Sequence, residues 1–339
     1  MSTEPDAALR ALLPAEAASR LQSLRCAQGI ATLVLDASGL SPRDRAALEI
    51  AVRKVLEREG DIAEVRVAFM ADKPDTPARP PRILAVGSGK GGVGKSTLST
   101  NLAVALSRRG FKVGLVDADI YGPSQARLLG TEGLKPVAHE KRLVPVASAV
   151  GVPVLSMGHL SEPGQAMAWR GPMAAGALTQ LLEAHWDDAE VLVVDLPPGT
   201  GDVQLTMLQK FKPAGAVIVS TPQDLALIDA TRAIELFSKG GVPIVGLVEN
   251  MAGYICPHCG EESDPFGCGG AEASARELGV PFLGRIPLDI AIRRASDAGT
   301  PPAAGEGKQA EAFAVLAGHV AAWLDAPATS ANPAATARD

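Results

Sequence analysis

Residues 87–97 read GSGKGGVGKST, directly after the apolar segment ILAVGS and directly before the helical pattern STLSTNLAVALSRRG. Residues 89–96 match G-x-x-x-x-G-K-S, which defines a phosphate-binding loop when a strand precedes it and a helix follows it. The glycines permit positive φ angles that turn backbone N–H groups inward, and the helix start adds a partial positive charge. The stretch therefore predicts a P-loop that holds the phosphates of a nucleotide.

Short apolar runs alternate with helical patterns on both sides of this loop. Continuous Val/Ile/Leu runs suit strands that are buried on both faces. The seven runs are RILAVGS, KVGLVDA, VPVLSM, EVLVVDLP, GAVIVST, PIVGLVEN and PFLGRI. This alternation predicts an α/β fold, a P-loop NTPase domain over residues 82–325 with a doubly wound, mostly parallel sheet.

The segments that flank this domain differ from it in composition. Residues 1–72 contain two β-prone segments, GIATLVLDA and AEVRVAFMA, around a well-capped helix over residues 41–60, with another helical stretch near residues 6–24. They predict a small α+β domain. The proline-rich residues 73–81 indicate a linker, and residues 326–339 offer little to bury, which predicts a disordered tail.

The overall composition limits the classes of protein. The chain has 339 residues, 47% of them hydrophobic, which is ample for a packed core. Its net charge of -6 disfavours nucleic acid as the main partner. No apolar run approaches the roughly 18 to 20 residues that span a bilayer, and the N-terminus lacks a secretory pattern. We expect a cytoplasmic protein without a nucleic-acid or membrane partner.

Two carboxylate motifs follow predicted strands, at the strand ends where doubly wound sheets bind ligands. LVDADIYGPS places Asp117 at the end of a strand and Asp119 on the loop beyond it, and EVLVVDLPPGTGD places Asp195 after four apolar residues. In a chain that contains a P-loop, an aspartate at the end of a later strand, as Asp195 is, has the position of a Walker B carboxylate, which holds Mg²⁺ through water. Lys95 would reach the β- and γ-phosphates, and the Ser96 hydroxyl would bind Mg²⁺. The pattern predicts an ATPase.

The earlier lysine of the loop, Lys90, has no role in an ordinary P-loop. KGGVGKST resembles the deviant Walker A loop of the MinD/ParA/nitrogenase-iron-protein class. The resemblance implies that Lys90 reaches the nucleotide of a partner subunit, so that ATP drives homodimerisation and hydrolysis is slow in a monomer. It also implies that Asp119 orients the attacking water and that Asp117 lies nearer Mg²⁺. The implied nucleotide-binding residues are Gly89, Lys90, Gly91, Gly92, Val93, Gly94, Lys95, Ser96, Thr97 and, at the adenine, Asn250.

A close cysteine pair, Cys256 and Cys259, lies in the segment YICPHCG. Two thiolates separated by two residues can bind one metal, but a tetrahedral site or a cubane cluster needs about four ligands. Three completions are open. A second chain donates its own pair across a two-fold axis, Cys268 and His258 complete a site within one chain, or the pair is a redox dithiol.

This segment, together with DADIYGPS, WRGPM (169–173) and DLPPGTGDVQLT, closely resembles the Mrp/ApbC family of iron-sulfur cluster carrier ATPases over roughly residues 82–300. The family often bears a small N-terminal domain related to iron-sulfur assembly factors. The resemblance implies that Cys256 and Cys259 of two subunits hold a bridging 4Fe-4S cluster, which is delivered to apo iron-sulfur proteins. Cys268 departs from the family pattern and leaves ligation by two cysteines per chain in question.

Two other functions remain as alternatives. A MinD/ParA-like positioning ATPase would use the same loop on a membrane or DNA. The terminal helical pattern KQAEAFAVLAGHVAAWLD has one lysine and no cationic face for anionic lipid, and this function leaves the cysteine pair unexplained. A zinc-stabilised metallochaperone NTPase is the other alternative, because thiolates accept zinc as well as iron.

Overall fold

The computed structural model describes residues 9–10, 12–27, 29–37, 40, 42–58, 62–70, 80–139, 141–160, 172–186, 189–256 and 258–326. The chain divides into two compact units, residues 1–78 and 79–339, and the boundary falls within the predicted linker. The predicted helix cap at Ser41, the helix end at Gly60, residues 73–79 of the linker, residues 169–171 and residues 327–339 of the tail lie outside the described residues.

The smaller unit combines a three-stranded sheet with helices. Its elements are α1 (Ala15–Ser19), β1 (Leu21–Ala27), β2 (Ile30–Asp36), α2 (Pro42–Leu56) and β3 (Glu64–Met70). Strand β2 lies between β1, to which it is antiparallel, and β3, to which it is parallel. The helix predicted near residues 6–24 is wrong at its C-terminal end, because residues 21–24 pair with β2 as part of a strand.

The larger unit alternates strands and helices along the chain. Its elements are β4 (Arg82–Ser88), α3 (Lys95–Arg108), β5 (Val113–Asp117), α4 (Gln125–Leu128), β6 (Val137–His139), β7 (Arg142–Val144), β8 (Val154–Ser156), α5 (Met157–Leu160), α6 (Pro172–Leu182), β9 (Val191–Asp195), α7 (Asp202–Thr206), a π-helical turn (Met207–Phe211), β10 (Gly215–Ser220), α8 (Asp224–Lys239), β11 (Ile244–Asn250), β12 (Tyr254–Ile255), β13 (Glu262–Ser263), α9 (Gly270–Leu278), β14 (Phe282–Ile286), α10 (Ile290–Asp297), a 3-10 turn (Pro302–Ala304) and α11 (Lys308–Asp325).

Seven of these strands form one parallel sheet, in the order β14-β11-β10-β4-β9-β5-β8. Each of the seven predicted runs supplies one strand. Alternate residues of β4 face opposite cores: Leu84 and Val86 pack on one side of the sheet and Ala85 on the other. The predicted doubly wound α/β fold is confirmed, because helices cover both faces of a sheet whose strands are apolar throughout.

The order of the sheet brings the candidate residues to one edge. Strand β4 lies between β9 and β10, and β5 lies next to β9. Because the strands are parallel, the segments after β4, β5, β9 and β11 all leave the sheet at its carboxyl edge, where ligands bind in doubly wound folds. In the described part of the chain, no helix has the length and apolar character needed to cross a membrane.

Candidate functional site

The loop between β4 and α3 has the backbone that a phosphate-binding loop requires. Gly92 and Gly94 have φ angles of 79° and 83°, which glycine adopts without steric strain. A Cβ atom at Gly89 would lie 2.0 Å from the backbone carbon of Asp229, and one at Gly94 would lie 2.1 Å from Asn250 Nδ2. Any larger residue at Gly89 or Gly94 would therefore push the loop away from its neighbours.

This loop lines a cavity of about 210 Å³ at the carboxyl edge of the sheet. Asp119 and Pro198, from the segments after β5 and β9, line the same cavity. Gly199 N donates a hydrogen bond to Ser88 O over 2.8 Å, which joins the segment after β9 to the end of β4. The remaining lining residues are Ser88, Lys90, Gly91, Gly92, Gly94, Lys95, Ser96 and Thr97.

Lys95 occupies the first position of α3 and its ammonium is held by a buried carboxylate. Its Nζ lies 2.6 Å from Asp195 Oδ1 and 3.7 Å from Asp119 Oδ2. The Ser99 hydroxyl donates to the same Asp195 oxygen over 2.8 Å. Lys95 is 6% exposed and Asp195 is fully buried, so this ion pair is shielded from water. A triphosphate that enters the loop must compete with Asp195 for the lysine.

Gln125, which the sequence analysis did not single out, connects three parts of the site. Its Nε2 donates to Asp195 Oδ2 over 2.9 Å and to Ser96 O over 3.0 Å. Its Oε1 accepts a hydrogen bond from the Thr100 hydroxyl. Gln125 is fully buried and immediately follows the motif DADIYGPS, which was the available signal. The Gln125 side chain therefore fixes the second carboxylate oxygen of Asp195.

The two aspartates after β5 have different surroundings. Asp117 is fully buried, and its Oδ2 accepts hydrogen bonds from Ser124 N and Gln125 N at 2.9 Å and from the Ser156 hydroxyl at 2.7 Å. Burial, followed by the negative charge of Asp195, raises the pKa of Asp117 to about 7. This carboxyl group therefore shapes the loop after β5 and is not among the groups that line the loop cavity.

Asp119 presents its carboxylate to the cavity instead. Its Oδ1 accepts hydrogen bonds from Tyr121 N and Gly122 N, both at 3.2 Å, and its Oδ2 faces Lys95. These contacts fix one oxygen and leave the other directed at the loop. The arrangement suits a group that orients a water molecule beside a phosphate.

Lys90, the earlier lysine of the loop, also lines this cavity. Its side chain is partly exposed, and its carbonyl accepts a hydrogen bond from the Ser88 hydroxyl over 2.9 Å. Lys95, by comparison, is buried against Asp195. The two lysines of the loop therefore differ in burial: Lys95 is buried, and Lys90 is partly exposed.

Asn250 ends β11 and contacts the P-loop directly. Its Nδ2 donates to Val93 O over 2.8 Å. With Gly94, Thr97 and Met251, it lines a second cavity of about 190 Å³ that lies on the α3 side of the loop. Asn250 therefore joins the end of β11 both to the P-loop and to this second cavity.

The cysteine pair lies at a turn after β11. Cys256 N donates to Glu261 O and Gly260 N donates to Cys256 O, each over 2.9 Å, which closes the turn between β12 and β13. The backbone N–H of Cys259, with further donors at His258 and the Cys259 thiol, lowers the pKa of Cys256. Cys256 is partly exposed and Cys259 is exposed, so both thiols are accessible.

Cys268 does not join this pair. Across the ranges that the structure describes, no three His, Cys, Asp or Glu side chains lie close enough together to hold one metal ion. Cys256, His258, Cys259 and Cys268 all fall within those ranges. A site completed inside one chain by His258 and Cys268 is therefore not assembled.

Comparisons with known proteins agree with this geometry. A nucleotide-binding protein of Archaeoglobus fulgidus, solved in complex with ADP, superposes with a TM-score of 0.60 at 40% identity, covering 68% of this chain and 91% of that one. The cell division ATPase MinD of Pyrococcus furiosus superposes with a TM-score of 0.54 at 27% identity, covering 71% and 99% of the two chains. These neighbours confirm the predicted P-loop NTPase fold.

Sequence comparison identifies the family. An iron-sulfur cluster carrier protein of Pseudomonas fragi is 52% identical over 224 residues, which are 65% of this chain and 78% of the relative. Residues 80–321 match the family model described as ParA, NUBPL iron-transfer P-loop NTPase. The resemblance inferred from the motifs is confirmed, and the chain belongs to the NUBPL-type iron-transfer P-loop NTPases of the ParA family.

Proposed function

We propose that this protein is an ATP-hydrolysing carrier that binds a 4Fe-4S cluster between two copies of the chain and delivers it to apo iron-sulfur proteins. The observation that carries the proposal is that the P-loop and an accessible Cys-x-x-Cys turn leave one sheet at the same edge. The name of the Pseudomonas fragi relative, an iron-sulfur cluster carrier protein, supports the proposal.

The residues around the loop fit ATP and Mg²⁺. The backbone amides of residues 89–97 and the Lys95 ammonium are suited to the phosphates. The Ser96 hydroxyl and the Asp195 carboxylate are hard oxygen donors of the kind that Mg²⁺ prefers and would hold the ion, which would supply positive charge to the phosphates. Asp119 orients the attacking water, and the second cavity beside Asn250 accepts the adenine.

Replacement of Gln125 by Leu is expected to lower ATP hydrolysis about 10-fold and to raise the Mg²⁺ concentration required, as is typical for residues that orient a metal ligand. The change leaves Asp195 Oδ2 and Ser96 O without their amide donor. Phosphate release measured across a Mg²⁺ titration tests this. The exposed Gln209→Leu variant is the control, and an unchanged Mg²⁺ dependence in Gln125→Leu would contradict the assigned role.

Exposed apolar side chains around the nucleotide loop support dimerisation. Leu225 and Ile228 are 73% and 51% exposed, and they lie one turn apart on α8, next to Asp229, which contacts the P-loop. Tyr121 and Leu205, in the segments after β5 and β9, are also exposed. Because all of these segments leave the carboxyl edge of the sheet, a second copy that covers the nucleotide would bury them.

The Leu225→Asp, Ile228→Asp double variant is therefore expected to stay monomeric with ATP under conditions in which the parent dimerises. In each chain the dimer would bury two carboxylates without partners, and the free energy of desolvating them would exceed the stabilisation from the contact. Sedimentation velocity with and without ATP measures this. Val315→Asp is the matched control, since Val315 is 58% exposed on α11. A double variant that dimerises like the parent would exclude this face.

The cluster is the cargo, and each chain supplies half of its ligands. A cubane cluster is commonly held by four cysteine thiolates, whereas one chain offers the two accessible thiols of Cys256 and Cys259. A two-fold axis brings the cysteine pairs of two chains together. The same axis would let each Lys90 reach the nucleotide of the partner chain. Soft thiolates suit iron as ligands, and the pKa of the Cys256 thiol is lowered.

Cluster transfer tests the proposed function. Anaerobic reconstitution with iron and sulfide is expected to give brown protein with a broad band near 400 nm, which then activates an apo iron-sulfur enzyme. Protein that stays colourless and transfers nothing would contradict the carrier function and favour a positioning ATPase. Protein that retains zinc and resists iron loading would contradict it in favour of the zinc-stabilised alternative.

A further inference from the structure

Glu249, the residue before Asn250 on β11, is a buried charge that the proposed chemistry does not use. It is fully buried. Its carboxylate accepts hydrogen bonds from Gly269 N at 3.0 Å, Ala271 N at 2.7 Å and Arg285 Nε at 2.9 Å. Gly269 and Ala271 belong to the start of α9, so Glu249 ties that helix to the sheet. Removing a partner from such a charge is costly in a protein interior.

The two ends of the cysteine segment, residues 251–269, are held near the end of β11. At its start, Ala252 N donates to Ile286 O over 3.0 Å. At its end, Gly269 N donates to Glu249. Between these points, β12 and β13 form a hairpin whose turn contains Cys256 and Cys259. The position of the cysteine turn therefore depends on the last residues of β11.

The same strand end touches the nucleotide loop. Asn250 donates to Val93 O, and its Nδ2 occupies the space that a side chain at Gly94 would need. Glu249 and Asn250 are consecutive on one strand, so a displacement of one moves the other. If a ligand in the cavity beside Gly94 displaces Asn250, Glu249 is displaced as well. The three groups that donate to its carboxylate must then move with it, because breaking these hydrogen bonds would leave a buried charge without partners.

We propose that Glu249 is a positioning residue that transmits nucleotide binding at the P-loop to the cysteine turn. The inference rests on the proposed function and specifies how its two sites communicate. Glu249 lines neither of the two cavities at the P-loop, and its carboxylate is bonded to Gly269, Ala271 and Arg285. It acts through α9 and the segment that α9 anchors, which is a connected set of buried contacts between the two sites.

The test compares Glu249→Gln with Glu272→Gln. Glu249→Gln keeps the size of the side chain and removes the charge that pairs with Arg285. Glu272 also pairs with Arg285, but its side chain is 40% exposed, and it is the matched control. The readout is the rate at which iodoacetamide alkylates Cys256 and Cys259 in reduced, metal-free protein, resolved by peptide mass spectrometry, with and without MgATP.

In the parent and in Glu272→Gln, MgATP is expected to change the alkylation rate of the pair about fivefold or more, the usual lower range of coupling between sites. In Glu249→Gln the ratio is expected to fall close to one, although MgATP affinity and the melting temperature show that the variant is folded and occupied. If Glu249→Gln does not fold, Arg285→Gln is measured in its place; it removes this ion pair together with the one to Glu272, whose separate effect the Glu272→Gln control measures.

Two outcomes would overturn the inference. In the first, MgATP does not change the alkylation rate of Cys256 and Cys259 in the parent protein. In the second, Glu249→Gln keeps the parental ratio of the alkylation rates with and without MgATP. Since alkylation requires no iron, either result can occur in a protein that binds and transfers a cluster. Failure of cluster reconstitution in the parent would instead contradict the proposed function.

Discussion

Replacement of Cys256 or Cys259 by Ala is expected to abolish cluster binding, with loss of the band near 400 nm and of protein-bound iron. In the proposed dimer each single substitution removes two of the four thiolates, because both chains carry it. Iron and sulfide analysis after anaerobic reconstitution measures the effect. ATP binding should persist, since the cysteine turn lies outside the residues that line the two cavities at the P-loop.

Cys268→Ala is the matched control for these two variants. Cys268 is also exposed, but in the described residues it does not lie close enough to Cys256 and Cys259 to bind the same metal ion. This variant should therefore hold as much iron as the parent. A Cys256→Ala protein that binds and transfers the cluster normally would end the assignment of the pair as ligands. Loss of the cluster in Cys268→Ala would show that a third cysteine takes part.

Replacement of Lys90 by Ala is expected to lower the rate of ATP hydrolysis roughly 10³-fold, by analogy with the loss of a cation supplied in trans to a transferring phosphoryl group. Nucleotide affinity should change little, because Lys95 and the loop amides remain. Phosphate release and equilibrium binding of ATP separate the two effects. Lys239→Ala, at an exposed lysine of α8, is expected to match the parent.

Mixing two inactive variants distinguishes action in trans from action within one chain. Asp119→Asn lacks the residue that we propose orients the attacking water, but it retains Lys90. A mixed dimer with Lys90→Ala therefore contains one complete site, and the mixture should regain a substantial fraction of the parental activity. If every mixture stays as inactive as the separate variants, Lys90 does not act on the partner's nucleotide.

The sheet and the loop could be predicted because their signals are local. A strand buried on both faces must be apolar throughout, so all seven strands of the large sheet stand out as continuous runs. The P-loop needs glycines and a lysine at fixed spacing, and Gly92 and Gly94 have the expected positive φ angles. Strand β1 was missed because its sequence, LQSLRCA, follows a helical pattern, and its pairing with β2 decides its structure.

The supporting residues of the site could not be predicted, because their partners are distant in the chain. Gln125 contacts Asp195, which is 70 residues away, and Glu249 contacts Arg285, which is 36 residues away. The sequence placed Asp117 and Asp119 together at one strand end. The fold then gives the two carboxylates different surroundings, because Asp117 accepts hydrogen bonds in the core from Ser124, Gln125 and Ser156, whereas Asp119 lines the loop cavity.

The stoichiometry of the iron-loaded protein tests the shared-cluster account most directly. Native mass spectrometry of anaerobically reconstituted protein should show two chains with one cluster of four irons, and Cys256→Ala should remove both the cluster mass and the cluster-linked dimer. A single chain that carries its own iron centre, with no two-chain species at any protein concentration, would contradict a cluster held between two copies.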